Sequence, residues 1–140
     1  MKYKENWTES KQRWTQYWQR ANTGRPIMHL VGKKPDATPL PEEMQAKDLH
    51  DRYLSAQGKV QRFRHYCENH VFLAESFPNL SVDFGPGSVA AYLGSDIIFS
   101  EDTVWFEPFV KDWTTYPDIV FDPENKWWKK HYQLVKEVQK

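Results

Sequence analysis

The stretch Asp83 to Val110, DFGPGSVAAYLGSDIIFSEDTVWFEPFV, decides how the fold is read, because three glycines, two prolines, five acidic residues and a tryptophan interrupt its short apolar runs. Neither a helical nor a strand period runs through it. Gly85-Pro86-Gly87 marks a tight turn after the apolar run Leu80 to Phe84, and Ser88 to Leu93 reads as one or two helical turns stopped by Gly94. A strand ending in a glycine turn that opens a helix is how α/β folds present functional loops. Downstream, Ile97 to Phe99 and Thr103 to Val110 read as β runs joined through Ser100-Glu101-Asp102, a connection of hairpin size.

Upstream of this stretch, Leu49, Tyr53, Ala56, Val60, Phe63, Cys67 and Val71 recur at gaps of three and four. That spacing predicts a long amphipathic helix from Asp48 to His70, with a break near Ser55 to Gly58. Val71 to Phe77 and Leu80 to Phe84 read as extended, separated by Pro78. Arg25 to Gly32 is short, apolar and bounded by Pro and Gly, which suits a buried strand, and the loop Lys33 to Pro41 carries three prolines. A strand, crossover helix and second strand in one sheet predict a parallel pair. Residues 7 to 22 read as a helix, with Asn6 and Glu9 at capping-box spacing, a stripe of Trp7, Trp14, Trp18 and Ala21, and Gly24 at the C-cap. Asp122-Pro123-Glu124 predicts the start of a last helix with Trp128, Tyr132, Val135 and Val138 on one side. It reaches Lys140 without a stop signal, as expected of a chain cut from a longer α/β protein.

The 140 residues predict one domain, 1–140, with seven Trp, seven Tyr and eight Phe to build its core. Nineteen basic and nineteen acidic side chains balance, so the chain offers no basic face for nucleic acid. Cys67 is the only cysteine, which excludes an intrachain disulfide and a multi-thiolate metal site, and it reads as an inert, half-buried helix residue. No secretory leader pattern and no apolar run of membrane-spanning length is present, so a cytosolic location is expected and no membrane partner.

In the order of its elements and the wording of its loops, the chain from Asn6 to Lys140 resembles the N-terminal portion of the uroporphyrinogen decarboxylase superfamily, which also contains corrinoid-dependent methyltransferases. One stretch that carries the resemblance is Pro26 to Lys33, which looks like the first barrel strand and its loop. In the decarboxylases that loop reads Met-Arg-Gln-Ala-Gly-Arg, its arginines hold substrate carboxylates, and the corresponding positions here are His29 and Lys33. The other is Leu80 to Gly94, where the family's catalytic aspartate position falls on Gly85, with Asp83 two residues earlier. Phe99 to Pro108 is closer to decarboxylase-like relatives than to the heme-pathway enzyme.

The resemblance implies an α/β chain forming the N-terminal part of a (β/α)8 TIM barrel, incomplete because such barrels need about 250 residues, with an added β-hairpin. It implies decarboxylation or corrinoid-linked methyl transfer on a tetrapyrrole or a small methylated or carboxylate substrate. The isolated chain is then expected to lack activity, and any zinc or corrinoid to be held only with the missing C-terminal part. Asp83 is the candidate catalytic carboxylate, read alternatively as a turn cap. His29, Lys33, Asp102, Trp105 and Glu107 are candidates for substrate binding, the last three because a tryptophan among carboxylates suits a flat or cationic ligand. The alternative is a non-catalytic interaction or ligand-binding module, homo-oligomeric or paired with a complementary chain.

Overall fold

A computed structural model describes residues 1–139, which divide into two compact units. The first comprises Met1–Glu43 and Gln61–Leu80, the second Met44–Val60 and Ser81 onward.

The first unit is built on an antiparallel ribbon. Strand β1 (His29–Lys33) pairs with β2 (His70–Ala74) in the register His29↔Ala74 to Lys33↔His70. The expected parallel pair, and with it the barrel fragment, is therefore incorrect. The reason lies at Asn69: helix α3 (Ala56–Asn69) runs into β2 with no intervening loop, so β2 starts beside the end of β1 and must run back along it. Lys34 N–H donates to Asn69 O (3.0 Å) and Thr38 N–H to Asn69 Oδ1 (2.6 Å), pinning the proline loop to that junction.

Helix α1 (Trp7–Trp18) closes over the end of the ribbon through polar contacts. Lys4 Nζ donates to Phe72 O and Ala74 O, Ser10 Oγ to Ala74 O, and Trp14 Nε1 to Glu75 O. The capping box does not form, since Asn6 Nδ2 bonds the Glu9 carboxylate and no backbone N–H. The helix also stops earlier than its apolar stripe suggests. Arg20 takes φ 56°, its N–H bonds Tyr17 O, and Ala21 N–H bonds Gln16 O, which is a Schellman ending with an arginine where glycine is usual.

In the second unit, helix α2 (Leu49–Leu54) is capped by Asp48, whose Oδ1 accepts from Asp51 N–H at 2.7 Å. It ends at Ser55, whose extended ψ of 110° breaks the long predicted helix and whose Oγ accepts Gly58 N–H to start α3. Residues Leu80 to Phe84 form no strand. Helix α4 (Ser88–Tyr92) does form, and Gly94 ends it at φ 123°, with Gly94 N–H on Ala91 O and Ser95 N–H on Ala90 O. Strands β3 (Ile97–Phe99) and β4 (Val104–Phe106) make the expected hairpin, shorter than the apolar run.

Helix α5 (Lys126–Val138) starts three residues later than predicted. Asn125 is its cap, accepting from Trp127 N–H (2.8 Å) and Trp128 N–H (3.0 Å), whereas Asp122 caps only the preceding turn through Glu124 N–H. Its inward stripe is offset by one residue from Trp128, Tyr132 and Val135, a rotation of about 100°, while Val138 packs on the core as expected. Leu134 is buried and Trp127 and His131 half-buried, while Tyr132 stands 56% exposed. Phe84, fully buried, is the centre on which Leu134, Trp127 and His131 pack.

Candidate functional site

Strand alternation puts His29, Val31 and Lys33 on one face of β1, opposite Ala74, Phe72 and His70. Val31 and Phe72 fill the middle of that face, leaving His29 and Lys33 at opposite ends of a five-residue strand, about 13 Å apart by the usual strand rise. They do not converge on one mouth, as a barrel would require. Each instead opens onto its own cleft.

Lys33 lies in a cleft of about 480 Å³ with Thr38, Arg62, His65, Asn69 and His70. Cross-strand pairing brings Lys33 beside His70, and the helical spacing 62, 65, 66, 69 brings Arg62, His65, Tyr66 and Asn69 onto one face of α3. The imidazoles are held in place. His70 Nδ1–H donates to Tyr66 O (2.8 Å) and its ring stacks on Tyr66 at 4.0 Å, while His65 Nε2–H donates to Thr38 O (3.2 Å). Asn69 accepts Thr38 N–H and donates to His65 O at 2.9 Å, so the loop and helix sides of the cleft share one network. Four cationic or protonatable side chains line the cleft, and no carboxylate does. Sequence reasoning named Lys33 but not Arg62, His65 or His70, because His70 reaches Lys33 through strand register, which spacing along the chain does not show.

His29 is exposed and opens onto a second cleft, of about 490 Å³, formed by the tryptophan face of α1, Phe77 and Asn79.

Asp83 lies in a loop in the second unit. Its Oδ1 accepts Gly85 N–H at 2.7 Å, closing an Asx turn, and its Oδ2 accepts from Ser81 Oγ. The Ser81 hydroxyl, followed by the Gly85 amide and the positive charge of Lys59, holds the carboxyl below its ordinary 3.8 against the opposing effect of burial. Asp83 is thus an exposed, ionised carboxylate at neutral pH rather than one raised toward 7. The turn is completed by Ser88, whose Oγ accepts Phe84 N–H and donates to Gly85 O.

Asp83 also acts on a neighbouring pair. The Tyr92 hydroxyl shares a hydrogen bond with His131 Nδ1, joining α4 to α5. Burial lowers the pKa of His131 below its ordinary 6.5, with Asp83 opposing and Lys59 adding to that shift. Burial likewise raises the pKa of Tyr92. The phenol therefore meets a neutral imidazole, and both rings pack into the aromatic core against Phe84 and Trp128. The pair serves packing more than it serves a ligand.

Asp102 is exposed in the hairpin turn, and Trp105, paired with Ile98, is 65% exposed on the outer face of the hairpin. Glu107 is exposed, and its backbone closes the hairpin base through Asp96 O and Ser95 Oγ. No ring among the described residues packs on Trp105, so the three make no aromatic cage.

Cys67 is buried rather than half-buried, and burial, then Glu68, pushes its thiol pKa up. No three His, Cys, Asp or Glu side chains gather among the described residues. No helix among the described residues is long and apolar enough to cross a membrane. Comparison with models of known protein families, with curated proteins and with solved structures gave no match for this chain.

Proposed function

We propose that the Lys33 cleft holds the carboxylate of a small-molecule substrate, and that the chain is the substrate-holding part of a cytosolic, decarboxylase-like enzyme of the kind its loops resemble. One observation carries this reading: Lys33, Arg62, His65 and His70 line a single cleft with no carboxylate among them. A charge-assisted hydrogen bond to a carboxylate suits such a set, whereas a methyl group offers it nothing, which favours decarboxylation over methyl transfer. Asp83 lies in the other unit, and its lowered pKa makes it a poor proton donor at neutral pH.

The test is an NMR titration of the His65 and His70 rings with succinate, propionamide and inorganic phosphate. Succinate shifts both rings saturably, propionamide does not, and Lys33→Ala weakens succinate about tenfold. Equal binding of propionamide, or phosphate binding tighter than succinate, overturns the carboxylate reading.

A second reading, an interaction module that pairs with another chain, is favoured by the opposite face of the ribbon. Leu30, Val71 and Leu73 lie together there, 47%, 40% and 50% exposed. An uncovered apolar face predicts self-association or binding of an apolar dye. A dye-silent monomer by light scattering removes this reading.

A further inference from the structure

The cleft onto which His29 opens has a different chemistry from the one at Lys33. On α1, Trp7, Lys11, Trp14 and Trp18 fall at spacings of four, three and four, so they share one helical face. Phe77 forms the opposite wall, with the Trp7 ring 5.3 Å away and tilted and the Trp14 ring 6.3 Å away and edge-on. Trp14 is fixed by its 2.8 Å bond to Glu75 O. Trp18, at the end of the stripe, is 76% exposed, so its ring is not consumed by packing. The polar groups on the lining are Lys11, Thr15, His29 and Asn79, again with no carboxylate. A concave, mostly aromatic volume of about 490 Å³ with a few polar groups at its edge has the size and make-up of a small-molecule site.

We propose that this cleft binds a flat aromatic carboxylate, its ring against Trp14, Trp18 and Phe77 and its charge on Lys11 and His29. Aromatic faces alone would accept a cation equally well, but Lys11 repels one and favours an anion, to which the His29 ring can add a hydrogen bond. This site is independent of the Lys33 cleft and does not rest on the reading of that cleft as a substrate site.

The experiment follows the indole N–H signals of the full chain, assigned through single Trp→Phe variants, during titration with 2-naphthoate, 2-naphthylmethanol and 2-naphthylmethylammonium. Saturable shifts are expected at Trp14 and Trp18, with naphthoate binding tightest and the ammonium weakest. Lys11→Ala brings naphthoate down to the level of the alcohol, and Trp18→Ala weakens both about tenfold, as expected on losing one stacked ring. Lys33→Ala leaves naphthoate binding unchanged. Equal affinity for the three probes together with no effect of Lys11→Ala overturns the proposal, as does loss of naphthoate binding in Lys33→Ala, which would place the aromatic acid in the other cleft.

Discussion

The Arg25 guanidinium grips the Glu75 carboxylate with both Nη atoms, Nη1 to Oε2 at 2.8 Å and Nη2 to Oε1 at 2.5 Å. Glu75 is only 1% exposed and also accepts Arg13 Nε (2.8 Å) and Met28 N–H (3.0 Å), so every oxygen is satisfied. One carboxylate thus ties α1, the segment before β1 and the end of β2 together.

The Arg25 hydrogen bond, ahead of those from Met28 and Arg13, holds the Glu75 carboxyl at about 2 against an ordinary 4.5. A depressed folded-state value means the contribution is complete above about 4.5 and is lost as pH falls toward 2. Thermal melts between pH 2 and 6 should show the melting temperature falling through that window, and Glu75→Gln should flatten the slope. At neutral pH the substitution should cost about 2–3 kcal/mol, because it removes a charge-assisted network and leaves two guanidinium groups unpaired. An unchanged pH slope in Glu75→Gln would remove the ion pair from any account of stability.

Arg20 supplies the next prediction. A side chain at φ 56° costs about 1–2 kcal/mol relative to glycine, and glycine returns about 0.5–1 kcal/mol through the flexibility of the unfolded chain. Arg20→Gly should therefore stabilise the protein by about 0.5–1 kcal/mol in urea denaturation, and Arg20→Ala should not.

What was legible in the sequence was local. Gly94 ended α4 and Ser55 broke the long helix as read, since each acts through its own backbone. Arg20 carried no such signal, because a Schellman ending built on arginine looks like an ordinary helical residue. The apolar face of α5 was misread by one residue over its first turns, though not at Val138, as two adjacent tryptophans, Trp127 and Trp128, leave the phase of the stripe open until Phe84 selects Trp127. Strand direction was lost at Asn69, where a helix passes into a strand with nothing to mark how the chain turns. Of the site, Lys33 was legible but its companions were not: His70 arrives by register, and Arg62 and His65 arrive through a helix face that reads as solvated.

Gly87 illustrates a glycine required by contact and not by backbone conformation. Its φ is −92°, open to any residue, yet a Cβ there would lie well inside 3.0 Å of the Phe106 ring. Gly87→Ala should destabilise by about 1–3 kcal/mol through overpacking. Adding Phe106→Leu should recover part of that loss, a favourable coupling of about 1 kcal/mol in a double-mutant cycle. Additive losses would show that the ring moves aside at no cost.

Asp83 can be separated into its two roles by choice of substitution. Asparagine keeps an oxygen to accept Gly85 N–H and so keeps the Asx turn, but it removes the negative charge. Alanine removes both. Asp83→Asn should leave stability within about 0.5 kcal/mol, while Asp83→Ala should lose about 1 kcal/mol as the Gly85 amide goes unpaired. Because the folded carboxyl lies below 3.8, the charge is present throughout the neutral range and any activity that depends on it should be flat with pH above about 5. If the charge carries chemistry, both variants lose turnover although only Asp83→Ala loses stability. Full turnover in Asp83→Asn would assign the residue to the turn alone.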